Sequence, residues 1–228
     1  MKPYAYMTFF FAPVLAAIIL WYFSGRYHKG FTGLLIRSFL LGILGTVVLL
    51  AAEYLSALLG LNELRNLKRT LFYSFVTIGF ASELGMYLLF RYFVIPRKEL
   101  DKPVHAITMS IMVALGFSTV RIILFPMDLF HTIVNFPANL YLFVFVPANL
   151  IFSVIMGFFS GLAKFLKSRI VYNMTGLFAA TFFHGLFNFC LLTYDFKLLS
   201  LFAFGSTLIV FILGIKAAST EPEPLDKI

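Results

Sequence analysis

The sequence predicts an all-α fold: a polytopic transmembrane helix bundle of about seven spans. Three observations lead there. Of the 228 residues, 61% are hydrophobic, which at about 20 residues per crossing supplies about seven spans. Only 12% are charged, and the mean hydropathy is +0.95. The apolar residues fall into runs near 7–23, 32–60, 71–95, 104–125, 139–163, 172–194 and 197–216. This pattern excludes a soluble globular domain, a disordered chain and a secreted disulfide scaffold. It leaves no room for a separate soluble catalytic domain, so any chemistry sits within the bundle or on short loops. Residues 1–216 read as one membrane domain, followed by a short disordered acidic tail at 217–228.

Each run has its own justification. Residues 7–23 end in Trp21, Tyr22 and Phe23, which suit a membrane interface. Only Lys2 precedes the run and no small-residue cleavage motif follows it, so it reads as a span rather than a cleaved signal peptide. The run at 32–60 exceeds the bilayer thickness and predicts a tilted helix. The run at 139–163 carries Gly157 and Gly161 as a GxxxG pair, the spacing of close helix packing. Asp195 and Lys197 alone separate the last two runs, so these form a tight hairpin. Pro-Ala-Asn-Leu occurs at 137–140 and again at 147–150, but hydropathy shows no transporter-type repeat.

The net charge of +8 lies mostly in loops between the runs. There it sets topology and meets anionic lipid, and nucleic acid is not an expected partner. With seven spans, one face carries Arg26, Lys29, Arg91, Arg97, Lys98, Lys102, Lys164, Lys167, Arg169, Lys216 and Lys227, eleven in all. The other carries five: Lys2, Arg65, Lys68, Arg69 and Lys197. The excess predicts the N-terminus outside and the C-terminus inside. The lone cysteine, Cys190, permits neither an internal disulfide nor a cysteine-based zinc site, and reads as a packing residue.

Ionisable residues deep in a bilayer are costly and mark function or structural pairing. The candidates are Glu53, Glu83, Arg121 and His184, while Arg37, His105 and Asp195 lie nearer span ends. At 1.5 Å per residue, Glu83 and His184 fall roughly 18 Å above the inner face. Asn149 falls roughly 15 Å below the outer one, so the three share a depth in a core about 30 Å thick. Arg121 lies about 7 Å nearer the outer face, and Glu53 is also nearer that face. Asn188 follows His184 by four residues and shares its helix face. A carboxylate beside an imidazole at one depth can activate water, or can simply tie helices together.

Four ordered blocks resemble the PrsW family of intramembrane proteases, within the wider CAAX-protease-like superfamily. They are Gly79–Phe93 (GFASELGMYLLFRYF), Ala114–Phe125 (ALGFSTVRIILF), Pro147–Phe165 (PANLIFSVIMGFFSGLAKF) and His184–Phe189 (HGLFNF). Together they cover about residues 70–195. The resemblance implies an intramembrane endopeptidase of the bacterial inner membrane, acting on a single-pass membrane protein. It leaves the metal cofactor open.

The family's chemical positions are only partly kept. Its paired glutamates and following lysine fall on Ser82, Glu83 and Met86. Its second-motif Glu-Asn falls on Arg121 and Ile122, and its third-motif histidine on Asn149. Glu83, His184 and Asn188 keep the family's residues. Arginine stays protonated and cannot serve as a base. Arg121 is expected to pair with Glu83 and make it a poorer base, whereas Glu53 is expected to pair structurally. Glu83 and His184 alone make an incomplete zinc site, because Asn149 is a poor substitute for imidazole. The favoured expectation is a catalytically impaired homologue that binds a client membrane helix. The alternatives are an active endopeptidase built on Glu83, His184 and Asn188, and a small transporter or proton-linked sensor using Glu53, Glu83 and His184.

Overall fold

The computed structural model describes residues 3–125, 138–166 and 168–220. All its regular elements are helical among these residues: α1 Pro3–Ser24, α2 Lys29–Leu58, α3 Leu67–Val94, α4 Pro103–Leu124, α5 Ala138–Phe165, α6 Arg169–Thr193 and α7 Phe196–Ser219. Six of them, α2 to α7, are long and apolar enough to cross a membrane, and α1 adds the apolar stretch Phe9–Ser24. Every predicted run is therefore a helix. The tail expected from residue 217 starts as helix instead, because α7 continues through Ser219 and buries Ala217. Residues 221–228 lie outside the described residues.

The boundaries have local causes. His28 caps α2, its Nδ1 accepting the Phe31 N–H at 3.1 Å. Asn66 and Asp195 cap α3 and α7 in the same way, through side-chain oxygens accepting the N–H of Arg69 and of Leu198. Pro103 opens α4, where its missing N–H costs nothing. α6 stops at Tyr194 in the left-handed conformation, φ 58°, and Asp195 starts α7 at once, which makes the predicted tight hairpin.

Lipid tails are as apolar as leucine, so these helices associate through close packing and interhelical polar contacts rather than hydrophobicity. Glycines set the tightest crossings. A Cβ at Gly42 of α2 would fall inside the Val113 carbonyl of α4, and one at Gly116 inside the Phe39 carbonyl of α2. Gly85 of α3 meets Gly45 of α2 in the same manner. The GxxxG pair does pack helices: Cβ atoms at Gly157 and Gly161 would lie 2.8 Å from Ile107 Cα and 3.0 Å from Ala106 Cβ. A Gly42→Val variant is therefore expected to lose about 1–3 kcal/mol of stability by overpacking. Gly33→Ala, on the same helix with nothing within 4 Å, is expected to be neutral or slightly stabilising. Unfolding in mixed micelles would separate the two.

α2 is tied along its length. Ser38 donates to the Met109 sulfur at 3.6 Å, and Ser56 bonds Thr77 at 2.7 Å. The ends of the bundle differ. One end, called here the near end, carries the α1–α2, α3–α4 and α5–α6 turns. His105 joins it, with Asp101 on Nδ1 and the Tyr27 hydroxyl 3.3 Å from Nε2. Lys164 also joins it by donating to the Arg97 carbonyl at 2.6 Å. The opposite, far end carries the α2–α3 turn, in which Arg69 donates to the Gly60 carbonyl at 2.8 Å.

Candidate active site

α3 is not a uniform α-helix. Tyr73–Phe80 and Phe90–Val94 form wider π turns flanking the regular segment Ala81–Leu89. π turns recur at functional sites because they rotate the residues that follow. Here the first one immediately precedes Ser82 and Glu83. It also brings α3 close to α6: a Cβ at Gly79 would lie 2.9 Å from the Gly185 N, and one at Gly185 would run into the Phe75 ring. Gly79 lies four residues before Glu83 and Gly185 one after His184, so this backbone approach stands beside both side chains.

Glu83 Oε1 and His184 Nδ1 are 2.8 Å apart, and both side chains are fully buried. With Glu83 ionised, Nδ1–H donates to it and Nε2 is left as an acceptor or, in the imidazolium, a second donor. Phe152 of α5 stacks on the imidazole with centroids 4.8 Å apart, and Phe145 meets it edge-on at 6.4 Å. Asn149, on the same α5 face, donates to Ser118 Oγ of α4 at 2.9 Å. Four side chains of this layer keep a buried polar atom without a partner: Ser82 Oγ, Glu83 Oε2, Asn149 Oδ1 and His184 Nε2. The shared depth expected for Glu83, His184 and Asn149 thus corresponds to one connected layer across α3, α4, α5 and α6.

The partner expected for Arg121 is corrected. Arg121 pairs with Glu53 of α2 rather than with Glu83, Nη2 to Oε1 at 2.7 Å and Nη1 to Oε2 at 3.0 Å. The Tyr141 hydroxyl lies beside the same guanidinium. Depth explains the choice, since Glu53 and Arg121 both lie toward the far end. The other family positions serve packing or local bonds. Met86 and Ile122 are buried in the apolar core. Asn188 donates to the His184 main-chain carbonyl of its own helix at 3.0 Å. Ser118, Phe145, Phe152 and Tyr141 escape a reading based on ionisable residues alone. The spacing of Tyr141, Phe145, Asn149 and Phe152, at intervals of four, four and three, marks them as one helix face.

An all-helical bundle with a carboxylate–imidazole pair sealed at its middle defines a polytopic integral membrane protein with a buried polar centre. The chain belongs to the PrsW family of intramembrane metalloproteases, whose family model matches residues 31–215. It is 27% identical over 184 residues to Protease PrsW of Geobacillus kaustophilus (strain HTA426), covering 79% of this chain and 77% of that protein. It is 26% identical over 183 residues to Protease PrsW of Bacillus subtilis (strain 168), covering 79% of each. No solved structure matches the chain.

The metal that the family description implies fits this chain poorly. His184 Nε2 is unpartnered and oriented by a carboxylate on Nδ1, as a metal-bound imidazole is. The remaining donors fall short: beyond the imidazole, Glu83 offers one free oxygen, Oε2, and Asn149 only an amide oxygen. Among the described residues, no three His, Cys, Asp or Glu side chains come together as ligands. A catalytic zinc needs three protein donors of the histidine, carboxylate or thiolate kind.

Proposed function

We propose that this protein holds transmembrane segments of other membrane proteins and has lost efficient peptide hydrolysis. The observation that carries this reading is the bidentate Glu53–Arg121 pair. Glu53 is the deep carboxylate that could have supplied the second acid the family motif lacks here, and Arg121 engages both its oxygens. The position of the family's third-motif histidine is an amide, Asn149, with its N–H given to Ser118. What remains is a set of four unpartnered buried polar atoms, suited to hydrogen-bonding a bound chain. Both relatives are named proteases, which supports a client that is itself a polypeptide. Their bacterial sources and the eleven-to-five distribution of basic residues support a bacterial inner membrane, with the N-terminus outside and the C-terminus inside.

A second reading, slow hydrolysis, is favoured by one observation. Glu83 Oε2 and His184 Nε2 remain unpartnered beside each other's bonded atoms. In that reading Glu83 takes a proton from water and His184 stabilises the charge that develops on the substrate carbonyl. The transporter reading loses its third titrating group, because Glu53 is held by Arg121.

The test is binding in liposomes. The full chain, labelled at an exposed position, is titrated with fluorescent single-pass peptides and energy transfer is measured. Saturable binding, with the peptide recovered intact, is the expected result. Transfer no greater than that to an unrelated multispan protein at equal density would reject the reading.

A further inference from the structure

Glu83 and His184 are fully enclosed, so a client segment reaches them only if a helix moves. α5 has the features of the moving part. Pro147 lies within it, between Tyr141 and Phe145 on one side and Asn149 and Phe152 on the other. Proline lacks the N–H that would bond the carbonyl of residue 143, so the helix has one fewer bond at that level and is a kink site. The far-end part of α5 carries Phe145, which covers the His184 ring edge-on. One turn further out, Tyr141 stacks at 4.2 Å on Phe125, the residue that ends α4, with its hydroxyl beside Arg121, which in turn grips Glu53 of α2. The part of α5 beyond Pro147 stays fixed through Asn149–Ser118 and the Gly157 and Gly161 contacts with α4.

We infer that Tyr141–Val146 is a hinged door over the Glu83–His184 centre, pivoting at Pro147 and latched by the Glu53–Arg121–Tyr141 cluster. The door rests on the client-holding reading and adds its route: a membrane segment comes in laterally at the far end of α5. Arg121 then has a role that a buried ion pair alone does not give it. It joins α2, α4 and α5 through one guanidinium. Glu53 fixes that guanidinium in place, and Tyr141 is the contact released on opening. The outer surface of the door, Phe143, is 64% exposed and touches Phe11 of α1.

Spin labels at Phe143→Cys and at the exposed Leu58→Cys of α2, in a Cys190→Ala background, would report the door in liposomes by pulsed dipolar distance measurement. The native latch is expected to give one narrow distance distribution. Tyr141→Phe, and separately Glu53→Gln with Arg121→Gln, are expected to add a population longer by several ångströms. The paired neutral substitutions leave no unmatched charge, and Tyr141→Phe removes only a hydroxyl, so the fold is preserved in at least one arm. Adding Pro147→Ala to either is expected to restore the narrow distribution. Identical distributions for native and latch-broken chains would overturn the door. So would a long population that persists with Pro147→Ala. The distance readout needs no client, so a door that opens in a chain that binds no peptide would reject the client-holding reading alone.

Discussion

Arg121→Leu is expected to lower the stability of the bundle by about 3–5 kcal/mol, because it leaves Glu53 buried and unmatched. The carboxylate is 4% exposed and has both oxygens on the guanidinium, so no water or neighbouring cation replaces what is lost. Glu53→Gln with Arg121→Gln is expected to recover most of that loss, since two amides can bond each other without charge to desolvate. Glu53→Gln alone, Arg121→Gln alone and the double form a cycle, and unfolding in mixed micelles measures it. A strong coupling between the sites is the expected result, and additive losses would contradict a direct pair. The same cycle built on Arg121 and Glu83 is expected to show little coupling, since the two side chains have separate partners.

His184→Leu is the second large effect. It strands the fully buried Glu83 against the leucine and the Phe152 ring, and is expected to cost about 3–5 kcal/mol. Glu83→Gln keeps a hydrogen-bonding oxygen toward the imidazole and is expected to cost about 1 kcal/mol. The asymmetry is the informative part. If the pair were dispensable to the fold, the two substitutions would cost the same small amount. If client peptides bind through these side chains, both variants also weaken peptide binding, whatever their stability.

Much of this arrangement is legible in the sequence, for reasons tied to particular residues. Depth follows from the constant rise of a helix, so the common level of Glu83, His184 and Asn149 can be counted from span ends. It corresponds to a real layer, joined by the 2.8 Å contact and by Phe152. Rotation about the helix axis is harder to read. The π turn at Tyr73–Phe80 changes which side of α3 faces α6, and no residue in that stretch announces it. Arg121 shows the consequence. Its long stem reaches several neighbours, and the family position alone points to Glu83. The depth count, which sets Arg121 and Glu53 toward the same face, points to the partner it has. Asn188 is a case where a retained family residue and its local geometry differ, because a helix carbonyl four residues back is the nearest acceptor. Glycines at 42, 45, 85 and 116 are visible as letters, but their crossings appear only once the helices are paired.

In the proposed function, the retained Glu83–His184 pair, with Glu53 locked away and Asn149 in place of an imidazole, binds membrane segments without cutting them efficiently. The most direct measurement is proteolysis in liposomes with a pool of single-pass membrane substrates. The native chain is compared with Glu83→Gln and His184→Ala, and an active PrsW relative serves as positive control. Cleavage by the relative and none above background by the native chain is the expected result. Cleavage by the native chain that disappears in both variants would contradict it and establish a working protease.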